Sequence, residues 1–172
     1  TVFKNIEELI KSVKGRLIIG TFSSQLERIM KIVEFAENHG RKIVVEGRSM
    51  KVNIEIVKTL GMLKSKPGTF ISTEEMGGLP DNKVLILSTG AQADEFSALM
   101  RMATKTHKQI KIGKNDTIVL SSSIITGNER AVQKLKDNLS RQGAKIIHYQ
   151  VADVHSSGHA NRDETVWIHQ KI

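Results

Sequence analysis

Short segments rich in branched aliphatic residues alternate along the chain with longer segments of helical period, and this alternation constrains the fold more than any other feature. The short segments lie at residues 16–21, 42–46, 69–72 (the weakest), 83–87, 117–121 and 145–149. Their cores, such as VLIL at 84–87, are apolar on successive residues, which is typical of parallel strands covered on both sides. The pattern predicts an α/β domain with a doubly wound, mainly parallel sheet and helices on both faces.

The segments between the predicted strands carry apolar residues at helical spacing, and a glycine follows each of them. Three stripes are predicted to face the sheet: Leu26, Ile29, Met30, Val33 and Phe35/Ala36; Val52, Ile56, Val57 and Leu60; and Val132, Leu135 and Leu139. The helices are expected to end at Gly40, Gly61 and Gly143. The sequence STEE at 72–75 fits the capping box of a further, short helix.

Length and composition set the class of protein. The chain has 172 residues and no cysteine, which favours one domain over residues 1–172 and excludes disulfides and thiolate zinc sites. No apolar run approaches the roughly 18 residues of a membrane span. A soluble, cytoplasmic protein without a membrane partner is therefore predicted. Because the sequence starts at Thr1 and its last segment reads as an uncapped helix, we expect a piece of a longer protein.

The chain is strongly basic. Lysine and arginine number 26 against 18 acidic residues, a net charge of +8, and the isoelectric point is near 9.8. Such a charge favours a polyanionic partner such as nucleic acid. It also serves solubility, so charge by itself leaves both interpretations open.

Polar turns follow the predicted strands, and most combine glycine with serine or threonine. In a doubly wound sheet these turns share the carboxyl edge, where helix N-termini favour phosphate. A single turn of this kind is more often simple helix capping. Several on one edge of a basic chain favour a phosphate-bearing ligand. The turns are GTFSS at 20–24, EGRSM at 46–50, STGAQ at 88–92, SSS at 121–123 with TGNE at 126–129, and VHSSGHA at 154–160.

The last of these turns has two of the six histidines within five residues. Gly158 and the serines disfavour a helix, so a zinc-binding helix is a poor interpretation. A loop histidine can instead donate hydrogen bonds to phosphate oxygens, together with the serine hydroxyls and the Gly158 amide. The other four histidines, His39, His107, His148 and His169, are assigned no chemistry.

Several common sites are missing from the sequence. It contains no Walker-type Gly-Lys-Ser/Thr, no G-x-G-x-x-G after the first strand, no G-x-S-x-G turn and no histidine-rich metal cluster. Seven aromatic residues in the whole chain disfavour a base-stacking platform of the single-strand-binding kind.

Five motifs occur in order over almost the whole chain: GTFSS at 20–24, GRKIVVEGRSM at 40–50, STGAQ at 88–92, SSS at 121–123 with GNE at 127–129, and VHSSGHA at 154–160. Together they resemble the beta-CASP domain of ribonuclease J. In that family the domain is inserted into a metallo-beta-lactamase domain, and RNA runs through the cleft between the two. Ala93 and Glu95 stand where the family usually has glycine and proline.

The resemblance implies a nuclease that processes and degrades RNA as a 5′-to-3′ exoribonuclease and an endoribonuclease, prefers a 5′-monophosphate and uses two zinc ions. The H-x-H-x-D-H metal motif is not in this sequence. We therefore expect the metallo-beta-lactamase domain to be absent, this chain to hold no metal or other cofactor, and the chain to be inactive alone. The implied partners are RNA and the metallo-beta-lactamase domain of the same parent protein, with a homo-oligomer left open.

The resemblance also assigns site residues. The loop that resembles the family's pocket for the terminal phosphate comprises His155, Ser156, Ser157, Gly158 and His159, and Ser23 and Ser24 resemble the other wall of that pocket. His159 further matches the beta-CASP histidine closest to the scissile phosphate, so it is the catalytic candidate, stabilising developing charge.

Two other functions stay open at this point. A stand-alone nucleotide- or dinucleotide-binding α/β domain would use the same edge for a small phosphorylated ligand, although the first turn lacks the glycine spacing of such sites. A pure interaction module would use its basic charge for solubility and its exposed face for a protein partner.

Overall fold

The computed structural model describes residues 2–148 as five strands, six α-helices and one 3₁₀ turn. The strands are β1 Arg16–Gly20, β2 Lys42–Glu46, β3 Val84–Ser88, β4 Asp116–Leu120 and β5 Lys145–His148. The helices are α1 Val2–Ser12, α2 Leu26–Asn38, α3 Arg48–Thr59, α4 Thr73–Met76, α5 Ala98–Ala103 and α6 Glu129–Arg141, and the 3₁₀ turn is Asp81–Lys83. None of these helices has the length and hydropathy that a membrane span requires.

The five strands form one parallel sheet in the order β2-β3-β1-β4-β5. Leu17 of β1 lies opposite Leu85 of β3 on one side and Thr117 of β4 on the other. Because every strand runs the same way, all five carboxyl ends lie at one edge, which we call the carboxyl edge. The predicted doubly wound α/β architecture is confirmed.

Successive strand residues enter different cores, which explains the unbroken apolar runs. Leu17 and Ile19 pack with α1, α2 and α3 on one face of the sheet. Ile18, which lies between them in β1, packs with α5 and α6 on the other face. Strand side chains alternate with a period of two, so a strand covered on both faces needs apolar residues at every position.

Two of the three predicted helix stripes are confirmed, and the third is wrong. The α6 stripe is buried, and the α2 stripe packs on the core with Leu26 and Met30 partly buried and its other residues buried. On α3, Val57 is buried, but the buried face is completed by Met50 and Ile54 rather than by the residues predicted. The other three residues of the predicted stripe are exposed: Val52 (51%), Ile56 (48%) and Leu60 (67%). The helix carries two apolar stripes, and hydrophobicity alone did not identify the one that faces the sheet.

The prediction of a strand at residues 69–72, the weakest of the six, is also wrong. It forms a single parallel bridge, between Phe70 and Ile43 of β2. Ser72 already belongs to the next element, since it is the N-cap of α4 and makes the predicted capping box with Glu75. With Gly68 in a left-handed conformation before it (φ +83°), the segment is too short for a strand.

The strand order predicts a crevice at the carboxyl end of β1. From β1 the chain passes to α2 on one face of the sheet, whereas from the neighbouring strands β3 and β4 it passes to α5 and α6 on the other face. Loops that leave in opposite directions open a gap between them, and doubly wound proteins bind ligands in such a gap.

Candidate nucleic-acid interface

The loop after β1 holds two serines that do not cap the helix that follows. The N-cap of α2 is Gln25, and no side chain accepts a hydrogen bond from its first turn. Ser23 is half-buried and Ser24 is exposed, and neither hydroxyl forms a hydrogen bond with any residue of the described part of the chain. Two available hydroxyls at the N-terminal, positive end of a helix can bind the oxygens of an anion.

The path of this loop is fixed through its carbonyl groups. The Nδ2 atom of Asn53, on α3, donates to the carbonyl oxygen of Ser23 over 2.6 Å. The N–H of Leu26 donates to the carbonyl oxygen of Ser24 over 2.9 Å. Because both contacts use backbone oxygens, the loop is held in place while the serine hydroxyls stay available.

A polar layer lies behind the two serines. Thr21 is 1% exposed at the end of β1, and its hydroxyl has no hydrogen-bond partner among residues 2–148. Arg28 is 6% exposed, and its guanidinium donates to the carbonyl oxygen and, over 3.2 Å, to the hydroxyl of Ser121 after β4. Burial lowers the pKa of Arg28. This cation, in the first turn of α2, adds positive potential at the carboxyl edge.

Gln92 joins the loops on the other side of the crevice. Its Nε2 donates to the carbonyl oxygen of Ser123 over 2.7 Å, and its Oε1 accepts from the N–H of Ile125 over 2.9 Å. The side chain is 3% exposed. Gln92 therefore has a positioning role: it fixes the loop after β4 against the loop after β3 and does not face a ligand.

A cleft of about 840 Å³ lies between the start of α3 and the loop after β3. Gly47, the N-cap of α3, has φ +104°, and no side chain caps the helix. Since Gly47, Arg48 and Ser49 all line the cleft, the free N–H groups of the first turn of α3 lie beside it. Asn53 lines it too, and its hydrogen bond to the Ser23 carbonyl oxygen connects this wall of the cleft to the Ser23–Ser24 loop.

The arginines of the two sheet edges differ in what they contact. At the amino edge, Arg16 forms an ion pair with Asp116 over 2.8 Å, and Arg41 donates to the carbonyl oxygens of four residues, among them Ile10. At the carboxyl edge, Arg48 and Arg101 are exposed, and within the described residues neither forms an ion pair. Arg48 and Arg101, which both line the cleft, are therefore available to an external anion.

The other half of the predicted phosphate pocket cannot be placed. The loop of His155, Ser156, Ser157, Gly158 and His159 lies outside the described residues. Its position relative to Ser23 and Ser24, and the catalytic role of His159, stay predictions.

His107, which was assigned no chemistry, makes buried hydrogen bonds within the fold. Its Nε2 donates to Glu46 over 2.8 Å, because Nδ1 accepts from the N–H of Ile110 over 3.1 Å. The pair is buried. Within residues 2–148, no three side chains of the types that bind metals converge.

Comparison with known proteins identifies the family. Residues 14–139 match the model of the beta-CASP domain of ribonuclease J. The chain belongs to the ribonuclease J beta-CASP family. Its relatives include ribonuclease J of Helicobacter pylori strain B128, which is 38% identical over 164 residues, ribonuclease J of Thermus thermophilus at 40% over 163 residues, and ribonuclease J 1 of Streptococcus pyogenes at 39% over 163 residues.

Each alignment covers 95% of this beta-CASP chain but only 24%, 28% and 29% of the respective relative. The chain thus spans about a quarter of the length of these ribonuclease J proteins. Within the described residues, the turns quoted from the sequence at 20–24, 46–50, 88–92, 121–123 and 126–129 follow strands at the carboxyl edge. Three residues of the cleft, Asn53, Phe96 and Arg101, were not singled out from the sequence, because no motif contains them and their meeting depends on the tertiary structure.

Proposed function

We propose that this beta-CASP chain is the RNA-binding part of a ribonuclease J-like protein that processes and degrades RNA, and that its carboxyl edge holds the 5′-monophosphate of the RNA. The observation that carries the proposal is the pair of available hydroxyls, Ser23 and Ser24, at the start of α2, in a loop that Asn53 of the cleft wall holds by its backbone. Family membership supplies the substrate class, since the relatives are ribonucleases.

The chemistry of binding follows from the donors at this edge. The serine hydroxyls donate to phosphate oxygens at the positive end of the α2 dipole, and the charge of Arg28 favours the dianion over the monoanion. The loop of His155 and His159 supplies the remaining donors in this proposal. A 5′-hydroxyl end has no oxygens to accept these hydrogen bonds, so the site discriminates between the two ends.

The described residues do not fit a zinc site, since no group of three metal-binding side chains is found among them. We therefore derive no step through zinc. In this proposal, exonuclease and endonuclease chemistry belongs to the metallo-beta-lactamase domain of the parent protein, and this chain positions the RNA.

The test is binding of one RNA oligomer with a 5′-monophosphate or a 5′-hydroxyl. We expect the phosphorylated form to bind on the order of tenfold more tightly, because charge-assisted hydrogen bonds are the strong ones. Ser23→Ala combined with Ser24→Ala, and separately His159→Ala, should abolish the preference. Ser12→Ala, at the far end of α1 where the hydroxyl donates to the Glu8 carbonyl oxygen, is the matched control.

An equal affinity of the wild-type chain for the two oligomers would contradict the phosphate pocket. A mononucleotide that binds as tightly as the oligomer would favour the stand-alone nucleotide-binding domain instead.

A further inference from the structure

Phe96 is the most exposed large apolar side chain of the described residues, with 82% of its surface accessible. It follows Asp94 and Glu95 in the loop between β3 and α5, and its backbone is left-handed, with φ +66°. A bulky residue in that conformation is a genuine outlier. Neither burial nor backbone preference accounts for an aromatic ring at this position.

The ring belongs to the wall of the cleft at the carboxyl edge. The same wall includes Arg48 at the start of α3 and Arg101 on α5, whose guanidinium groups form no ion pair with any described residue. Asn53 also lines this wall, and its side-chain amide donates to the Ser23 carbonyl oxygen. A ligand in the cleft therefore lies beside the proposed phosphate pocket.

The groups in the wall restrict the chemistry of that ligand. Asp94 and Glu95 also line the cleft, and two carboxylates beside two arginines disfavour a bare phosphate. A nucleotide matches the whole set: its phosphate pairs with arginine, its ribose 2′-hydroxyl and base N–H groups donate to carboxylates, and its base presents a flat face to an aromatic ring.

We propose that the cleft binds one nucleotide of the RNA strand, with its base stacked on Phe96 and its flanking phosphates beside Arg48 and Arg101. This inference rests on the proposed function. The proposed function provides a contact with the terminal phosphate, and this inference adds a second contact, with a base in the interior of the strand. Stacking accepts every base, so the site grips RNA without selecting its sequence.

The experiment is a double-mutant cycle between the ring and the base. A 5′-phosphorylated RNA oligomer and a set of copies, each with one abasic position, are titrated against the wild-type chain and Phe96→Ala. On the intact oligomer we expect Phe96→Ala to weaken binding on the order of tenfold. For one of the abasic copies, the affinity of the wild-type chain should fall by the same factor relative to the intact oligomer. The affinity of Phe96→Ala should be the same for that copy as for the intact oligomer.

Two further variants separate stacking from simple apolar contact and from misfolding. Phe96→Tyr should retain the affinity, whereas Phe96→Leu should not. Leu60→Ala is the control, because Leu60 is 67% exposed on α3 but does not line the cleft. Arg48→Gln and Arg101→Gln should each reduce the slope of log affinity against log salt by about 0.7, the value for one phosphate contact on a single strand, while Arg141→Gln should not.

The outcomes distinguish this inference from the function on which it rests. If Phe96→Ala binds every oligomer as the wild-type chain does and the 5′-phosphate preference persists, the stacking site is wrong and the proposed function stands. An equal loss on the intact oligomer and on every abasic copy would also overturn stacking. If the wild-type chain binds no RNA, both proposals fail.

Discussion

Gly47 connects β2 to α3 and lines the cleft. Its φ is +104°, and a Cβ atom built there would lie 2.2 Å from Oγ1 of Thr89. Both the backbone conformation and the close approach exclude a side chain. Gly61, at the other end of α3, has a similar φ of +72° but nothing within 4 Å of such a Cβ atom.

We therefore expect Gly47→Ala to destabilise the chain more than Gly61→Ala. Gly61→Ala meets only the strain of a left-handed alanine, about 1–2 kcal/mol. Gly47→Ala adds the collision with Thr89, and the total should reach about 3 kcal/mol or more. Urea unfolding of both variants measures the difference. Equal losses would show that Thr89 moves aside freely.

Single residues also show where sequence reasoning stops. The glycine of the 46–50 turn was visible in the sequence, and so was its position before a helix. Ala93 (φ +61°) and Phe96 (φ +66°) are also left-handed, but alanine and phenylalanine do not favour that conformation. Neither residue type signals a left-handed backbone, so the sequence did not predict the path of this loop.

Among the elements, α3 differs most from its prediction. One stripe, which comprises Met50, Ile54 and Val57, is buried against the sheet. A second stripe, which includes Val52 and Ile56, is about half exposed. Both sets have helical spacing, so periodicity cannot choose between them. On α6 a single stripe exists, and there the prediction was right.

A matched pair of isoleucines tests which stripe stabilises the fold. Ile54 is 3% exposed and Ile56 is 48% exposed on the same helix. We expect Ile54→Ala to cost about 2–5 kcal/mol of unfolding free energy and Ile56→Ala to change it by about 0.5 kcal/mol or less. Thermal or urea unfolding provides both values. A larger loss for Ile56→Ala than for Ile54→Ala would contradict the orientation of α3 in which Ile54 faces the sheet.

For the whole molecule, the arginines have two roles: some bind internal oxygens and hold the fold together, and others are available to an external anion. Arg16 and Arg41 bind internal oxygens at the amino edge, while Arg48 and Arg101 stay available at the carboxyl edge. The sequence predicted strands, helices and the polar turns of one edge. It could not predict the strand order β2-β3-β1-β4-β5, and hence the crevice at β1, because strand order depends on how helices pack across the sheet.

The most direct test of the account is to locate RNA on the molecule. Backbone amide NMR signals of the 172-residue chain are followed during titration with a 5′-monophosphorylated RNA oligomer. We predict shifts concentrated in residues 21–25, 47–49 and 94–97, at the carboxyl edge, while Gly15 and Gly113 at the amino edge stay unchanged. Shifts concentrated at the amino edge, or on the exposed stripe of Ile56 and Leu60, would contradict the account.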